Sequence, residues 1–432
     1  MEEGEWMRTD AGYAAELDRA DTLARFRERF YVAPGVLYFD GNSLGLLSRD
    51  AEAATLRVLE EWKTLGIDGW LGAPSPWYYL GESLGALTAP LIGAQPDEVV
   101  VTGTTTVNLH ALVATFYQPT AERRKIVATA LDFPSDLYAL RSQIALRGGD
   151  PEEDLILVGS DDGRTVAEET LIAALDDRVA LLLLPAVLYR SGQLFDIARL
   201  TAAAHERGII VGFDCCHSIG VIPHRFDEWG VDFACWCNYK YLNNGPGGTA
   251  GLYVNRRHFG RTPGLTGWWG SDKGRQFDMA TGFDGAADVG AWQISTIQVL
   301  SAAPLQGSLQ IFAEAGIEAV RAKSLRLTGY LMELLMATGL TAADYGYGIG
   351  TPGEEARRGG HVAVEHAAGP QIVRALKARG VVPDFRQPNV IRLAPIALYT
   401  SFADVWQVVQ HLKAIIDGRE HEAFVAERGL VA

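Results

Sequence analysis

Two residues with useful chemistry end two consecutive apolar runs in the middle of the chain. The run 209–213 ends on Asp214, and the run 231–237 is followed by Tyr239 and Lys240. Short apolar runs between turn residues predict buried strands of a mostly parallel sheet, whose functional groups gather beyond the carboxyl ends of the strands. An acid and a lysine at that edge suit pyridoxal 5′-phosphate (PLP). The lysine forms a Schiff base with PLP, and the acid keeps the ring nitrogen protonated.

Taken alone, these two residues have a simpler explanation. A lysine after a strand is usually solvated, and an aspartate there usually caps the next helix. The surrounding sequence adds weight to the cofactor hypothesis. His217 follows Asp214 by three residues, and a glycine-rich turn, GPGG at 245–248, precedes a third apolar run at 250–254.

These blocks, DCCH (214–217), ACWCNYKYLN (234–243) and GPGG, resemble the PLP-binding stretch of the kynureninases. The resemblance extends to GNSLGL (41–46), TTTVNLH (104–110), DFPSD (132–136), GWWG (267–270) and NVIRLAPIALYTSF (389–402), in the order of that family. It implies an α/β protein with the PLP-dependent transferase fold of type I. In that fold a large domain holds a mostly parallel sheet between helices, and a smaller α+β domain follows.

The resemblance also implies a role for each matching residue. Lys240 carries PLP and acts as a base, Tyr239 is the acid that protonates the product carbanion, and Asp214 binds the ring nitrogen. Further contacts with PLP are implied for Thr105, Thr106, Phe133, Ser135, Asp136, His217, Tyr239, Trp268 and Thr296. Contacts with the substrate are implied for Asn42, Ser43, Trp70 and Arg392, the last as a clamp for a carboxylate.

Local chemistry offers an alternative for several of these positions. A predicted strand is followed by the sequence TGTTT and then by a helix. This order suits a phosphate at the positive end of the helix, but threonines at such a position commonly serve only as helix caps. Asn42 and Ser43 lie in a sequence of ordinary turn residues. An arginine in a strand, such as Arg392, commonly forms a surface ion pair. These alternatives stay open on the sequence alone.

Three positions carry more specific implications. Some kynureninases have a serine contact where this chain has Pro185, so one polar contact is missing. Trp268 and Thr296 match residues that reach the phosphate of the neighbouring subunit, which implies a homodimer with shared active sites. Trp70 aligns with a histidine of some eukaryotic relatives, and an indole offers only one N–H donor. We therefore expect a preference for L-kynurenine over 3-hydroxykynurenine.

The implied reaction is the hydrolysis of L-kynurenine to anthranilate and L-alanine in tryptophan catabolism. One alternative is another fold type I enzyme, either an aminotransferase or a cysteine desulfurase-like lyase. A desulfurase needs a reactive cysteine in a late loop, and no cysteine follows Cys237. The other alternative is a non-catalytic PLP-fold binding protein, which no DNA-binding motif or basic arm supports.

Composition and net charge argue against several classes of function. The 432 residues are 48% apolar and 21% charged, which is typical of a soluble globular protein with a sizeable core. A net charge of −15 argues against nucleic-acid binding. No apolar run approaches the roughly 20 residues of a membrane span, and the first ten residues lack the pattern of a signal peptide. We expect a cytoplasmic enzyme.

The four cysteines raise the alternative of a metal site. Cys215, Cys216, Cys235 and Cys237 fall close to His217, but their CC and CxC spacings differ from the CxxC type of structural zinc sites. Cys235 and Cys237 belong to a buried-strand pattern, where cysteine acts as a small apolar residue. We predict no metal and no disulfide.

The pattern along the chain predicts three parts. Residues 1–60 form an N-terminal segment that packs with the small domain, 61–307 the large PLP-binding domain, and 308–432 the small domain. Strands are predicted at 99–102, 125–131 and 179–189. One long helix is predicted over 308–336, a surface excursion with a helix over 151–178, and loops over 66–76 and 340–360, the latter flexible.

Overall fold

The structure, a computed structural model, describes residues 9–425. Its α-helices are α1 Ala11–Arg19, α2 Arg49–Leu65, α3 Gly69–Gly72, α4 Leu80–Ile92, α5 Thr105–Phe116, α6 Pro134–Leu146, α7 Pro151–Asp154, α8 Glu168–Ala173, α9 Ile197–His205, α10 Phe226–Trp229, α11 Val299–Ala315, α12 Ile317–Ala337, α13 Gly369–Ala378 and α14 Phe402–Asp417. Its strands are β1 Leu37–Tyr38, β2 Val99–Val101, β3 Lys125–Thr129, β4 Leu155–Val158, β5 Val179–Pro185, β6 Ile210–Asp214, β7 Phe233–Trp236, β8 Gly251–Val254, β9 Gly348–Ile349, β10 Val362–Glu365, β11 Val381–Val382, β12 Asp384–Arg386 and β13 Val390–Leu393.

A seven-stranded sheet in the order β2-β8-β7-β6-β5-β3-β4 organises the larger part of the molecule. The strands from β4 to β7 run parallel, and β8 is antiparallel to both of its neighbours. Every residue of β5 is buried, as expected for a central strand covered by helices on both faces. The predicted α/β class with a mostly parallel sheet is confirmed. Asp214 ends β6, at the carboxyl edge of this sheet.

A smaller, antiparallel sheet in the order β12-β13-β10-β9 lies near the C-terminus. Its core includes residues from α12, α13 and α14, and Ala14 of α1 joins that core. Phe26 and Phe30 join the core of the large sheet instead. The N-terminal segment therefore packs on both cores, and its residues 1–8 lie outside the described range. The domain boundaries given above stay predictions.

Several elements differ from the sequence-based expectation. β5 ends at Pro185 rather than at residue 189, and the excursion over 151–178 contains an additional edge strand, β4. The long helix predicted over 308–336 is two helices, α11 and α12, which meet at Gly316 with a φ of +77°. The region 66–76 contains helical turns, and 340–360 contributes the short strand β9. Within residues 9–425, no helix is long and apolar enough to cross a membrane.

Candidate active site

A cavity of about 230 Å³ opens at the carboxyl edge of the large sheet. It unites twelve of the residues singled out from the sequence: Asn42, Ser43, Thr105, Thr106, Phe133, Ser135, Asp136, Asp214, His217, Tyr239, Lys240 and Arg392. These residues come from strand ends and helix starts that lie far apart in the chain. The parallel sheet brings them together because its loops meet at one edge.

Lys240 lies at the centre of the cavity, and its Nζ is 3.0 Å from Nε2 of His217. Burial, followed by the charge of Lys240, holds the pKa of His217 well below its ordinary value. His217 is therefore neutral and accepts a hydrogen bond from the lysine. Burial lowers the pKa of Lys240, but the negative groups around it, first Cys237 and then Asp214, outweigh burial and raise this pKa above its ordinary value.

Three buried carboxyl groups cluster near this lysine: Asp214 and Asp136 line the cavity, and Asp132 lies next to them. Asp214 accepts the N–H of Cys216 at 2.8 Å. Burial and then the charge of Asp214 raise the pKa of Asp136 well above its usual range, and burial raises the pKa of Asp132 to about 7. A cation beside Asp214 would relieve this crowding of negative groups. The protonated ring nitrogen of PLP is such a cation, so the carboxyl cluster fits the cofactor.

The starts of α5 and α6 form the opposite end of the cavity. Neither helix has a side-chain hydrogen bond from its N-cap residue, which is Thr104 for α5 and Phe133 for α6. Their first-turn N–H groups and positive helix ends thus suit a phosphate. The hydroxyls of Thr106 and Ser135, 2.8 Å apart, add donors. The alternative in which a threonine side chain caps α5 is wrong for Thr104.

The side chain of Phe133, the N-cap residue of α6, lines the same cavity. It is 45% exposed, unusual for a phenylalanine, and its ring contacts Tyr189 edge-on at 5.3 Å between centroids. Both rings line the cavity. An exposed aromatic face beside a lysine and a phosphate-binding helix start suits stacking on a planar cofactor ring.

Arg392 lies on the side of the cavity formed by the small sheet. It is fully buried, so the alternative of a surface ion pair is wrong. Its Nε donates to Asp384 at 2.5 Å, Nη1 donates to the carbonyl oxygen of Tyr189 at 2.7 Å, and Nη2 donates to the hydroxyl of Ser43 at 3.0 Å. Neither amide atom of Asn42, also buried, has a hydrogen-bond partner within the described residues. An incoming carboxylate would satisfy the Asn42 donor.

Tyr239 and the cysteines complete the region around Lys240. The charge of Cys237, followed by burial, holds the pKa of Tyr239 far above its ordinary value, so its phenol keeps its proton. All four cysteines are buried and unpaired. Between residues 9 and 425 no three His, Cys, Asp or Glu side chains are grouped as metal ligands would be.

Trp70, Trp268 and Thr296 do not line this cavity. The ring of Trp70 packs against Trp77 and Trp269 at 5.8 and 5.5 Å, and it lines a separate apolar cavity of about 410 Å³. Trp268 is 48% exposed, and Thr296 is partly exposed. Within one chain, Trp70 therefore does not share a cavity with the other predicted substrate contacts, Asn42, Ser43 and Arg392. The roles implied for Trp268 and Thr296 at the phosphate of a neighbouring subunit, and for Trp70 as a substrate contact, stay predictions.

The structure adds residues that the sequence did not single out, notably Tyr189 and Arg386. Tyr189 lies just beyond β5, inside the stretch predicted to be strand. Arg386 lies on β12, which pairs with β13 so that Asp384 faces Arg392. The alternating charges of the sequence DFRQPNVIR around a turn were the available signal for this pairing.

The fold and the lysine-centred cavity define a PLP-dependent enzyme of fold type I. A cysteine desulfurase from Thermococcus onnurineus superposes with a TM-score of 0.77 at 18% identity, covering 91% of this chain and 98% of that one. A C-DES mutant with glycine covalently linked to its PLP cofactor gives 0.77 at 18% identity, covering 89% and 98%.

Sequence similarity is more specific. The model of the kynureninase C-terminal domain matches residues 320–412. The kynureninases of Geobacillus thermodenitrificans and Bacillus anthracis are each 56% identical over 420 residues, or 97% of both chains, and that of Shouchella clausii is 53% identical over the same shares. The chain belongs to the kynureninase family.

Proposed function

We propose that this protein hydrolyses L-kynurenine to anthranilate and L-alanine with PLP as its cofactor. The observation that carries the proposal is the single cavity in which Lys240, Asp214 and Arg392 meet. Relatives named kynureninase that match 97% of this chain support the choice of substrate. PLP, when bound, supplies an electron sink for bonds next to the amino group of the substrate.

Lys240 is the proposed attachment point and the proton carrier. Once the amino group of the substrate has displaced it, the free amine of Lys240 would take the α-proton of the substrate and could return a proton to the cofactor side of the reacting centre. The hydrogen bond to His217 holds this amine in place. Because His217 is neutral, it accepts this hydrogen bond and adds no positive charge that would compete with Lys240 for the carboxylates.

Asp214 holds the proton on the ring nitrogen, and Asp136 beside it keeps its own proton because burial raises its pKa. Thr105, Thr106 and Ser135 bind the phosphate, and Phe133 stacks on the ring. Asn42, Ser43 and Arg392 bind the α-carboxylate. Water adds to the carbonyl carbon of the aryl ketone, so that breaking the Cβ–Cγ bond releases this carbon as the carboxyl group of anthranilate. The protonated phenol of Tyr239 then gives its proton to Cβ, which becomes the methyl carbon of L-alanine.

The proposed enzyme is a homodimer with shared sites. Several large apolar side chains around the Trp70 cavity are exposed, including Trp62 at 58% and Leu300 at 42%. Exposed apolar groups that cluster in this way are typical of a surface that another subunit covers. In the dimer, Trp268 and Thr296 reach the phosphate that is bound in the partner subunit, and Trp70 reaches the aryl ring of the substrate that is bound there. Trp70→His should then shift kcat/KM towards 3-hydroxykynurenine, and an unchanged ratio would remove Trp70 from this role.

The function is tested by adding L-kynurenine to the purified protein with PLP and recording anthranilate fluorescence. We expect anthranilate and L-alanine in equal amounts from the wild type and neither from Lys240→Ala. Sulfide from cysteine, or amino transfer to a 2-oxo acid, in place of anthranilate would favour the alternative fold type I enzymes. Ligand binding without any product would favour a non-catalytic protein.

A further inference from the structure

Arg392 has little donor capacity left for a substrate. A guanidinium carries five N–H groups, and a bidentate carboxylate needs two of them on one edge. Nε and Nη2 of Arg392 both contact Asp384, Nη2 also donates to Ser43, and Nη1 donates to Tyr189. One N–H, on Nη1, remains. A carboxylate bound by Arg392 alone would have to displace Ser43 or Tyr189.

Arg386 is a second guanidinium at the same wall of the cavity. Its Nε lies 2.9 Å from the Asp384 oxygen that also contacts Arg392, and its side chain is 22% exposed. Within residues 9–425, no acceptor forms a hydrogen bond with its terminal nitrogens. Arg386 thus offers the cavity the free donors that Arg392 lacks.

The net charge of this wall depends on the protonation of one acid. One carboxylate, Asp384, faces both arginines and is itself buried. The other acid nearby is Asp40, whose pKa burial and then the charge of Asp384 raise to about 6. One oxygen of each acid has no hydrogen-bond partner in the described part of the chain. When Asp40 is protonated, the wall carries one unmatched positive charge, and a substrate carboxylate would match it.

We propose that Arg386 is a second carboxylate-binding residue, which shares the α-carboxylate of the amino-acid substrate with Arg392. Asp384 positions both guanidiniums, through a hydrogen bond from Nε of Arg392 and an ion pair with Nε of Arg386. The inference rests on the proposed function, because it assigns the recognition of the amino-acid part of that substrate. It predicts that Arg386 recognises the carboxylate itself rather than stabilising the fold.

The test measures binding rather than turnover. L-Alanine, the proposed product, and L-alaninamide are titrated into the holoenzyme while the cofactor absorbance is recorded. The ligands differ only in the carboxylate. We expect Arg386→Gln to raise the Kd of L-alanine by about 10- to 100-fold, the range for a hydrogen bond between charged groups. The Kd of L-alaninamide should change by less than about twofold. Arg386→Lys keeps the positive charge but loses the paired N–H donors of the guanidinium. Its Kd for L-alanine should lie between those of the wild type and Arg386→Gln.

A matched control is Arg379→Gln. Arg379 also pairs with an acid, Glu420, and is 28% exposed, but it does not line the cavity. We expect both Kd values to stay unchanged in this variant. Equal weakening of both ligands by Arg386→Gln, or no weakening, would overturn the proposal. Failure of the proposed function looks different, since the wild type would then form no anthranilate yet still distinguish the acid from the amide.

Discussion

Buried aspartates at the two ends of the large sheet, near strands β6 and β7, have opposite electrostatic surroundings. Asp232, just before β7, accepts the N–H of Val211 at 2.8 Å and contacts His205, His258 and Arg257 at 2.9, 2.5 and 2.5 Å. Burial opposes its charge, but the hydrogen bonds from the histidines and the charge of Arg257 hold its pKa far below the ordinary value.

At the carboxyl end, the acids lack such a set of partners. Asp136 is pushed towards its protonated form by burial and by the charges of Asp214 and Asp132. Among the residues that the structure describes, Lys240 is the cation that opposes this effect on Asp136. The amino end of the sheet is thus electrostatically complete, whereas the carboxyl end becomes complete only with a cationic ligand. This difference separates an acid that stabilises the fold from acids that prepare a binding site.

The largest expected effect is on catalysis at the carboxyl end. Asp214→Ala removes the charge that keeps the ring nitrogen protonated, an interaction of several kcal/mol in a buried pair. We expect kcat to fall by about 100-fold or more, with PLP still bound at high concentration and the urea midpoint little changed. Near-native turnover of Asp214→Ala would remove this role.

The matching change at the amino end is Asp232→Asn. It leaves His205, His258 and Arg257 without their buried carboxylate, so we expect the free energy of unfolding to fall by about 3 kcal/mol. Urea denaturation measures this loss, and kcat should stay within about twofold of wild type. A large loss of kcat in a variant that remains folded would break the contrast between the two ends.

The pH dependence of the free energy of unfolding sharpens the contrast, because the buried acids at the two ends change it in opposite directions as pH rises. The low folded-state pKa of Asp232 adds stability above the unfolded value near 4, which is lost as pH falls. Asp132 has a folded-state pKa raised to about 7, so its contribution falls as pH rises from about 4 to about 7. The free energy of unfolding, measured from pH 5 to 8, should change less with pH in Asp132→Asn than in the wild type. An identical profile would mean that Asp132 does not titrate in this range.

A subunit exchange tests whether the carboxyl end needs a second chain. In a dimer of one Lys240→Ala subunit and one Trp268→Ala subunit, one site has both defects and the other has none. We expect each parent to be weak and the hybrid to recover up to half of the wild-type activity. If the hybrids gain nothing over the parents, or if a fully active monomer sediments, sharing through Trp268 is excluded.

The sequence predicted the parts of the fold that local patterns determine. Apolar runs with turn residues located β5, β6 and β7, and the strand–TTT–helix order located the start of α5. β4 was missed because Leu155–Val158 follows an acidic stretch and lies at the edge of the sheet. The break between α11 and α12 depends on Gly316, whose positive φ no periodicity reveals.

The site could be predicted only in part. The family resemblance named twelve residues that line the cavity, but not Arg386 or Tyr189. The contact between Arg392 and the carbonyl oxygen of Tyr189 joins residues 203 positions apart. Such contacts arise from the packing of the small sheet against the large one, and they leave no local pattern. The roles proposed for Trp268 and Thr296 depend on another subunit and are likewise invisible in one chain.

The most direct test of the central claim, that the carboxyl edge of the large sheet is the PLP site, is to locate the attached cofactor. The holoenzyme is reduced with borohydride and digested, and the labelled peptide is sequenced by mass spectrometry. We predict that PLP is found on Lys240 alone, and that Lys240→Ala folds normally without retaining the label. PLP on any other lysine would contradict the account.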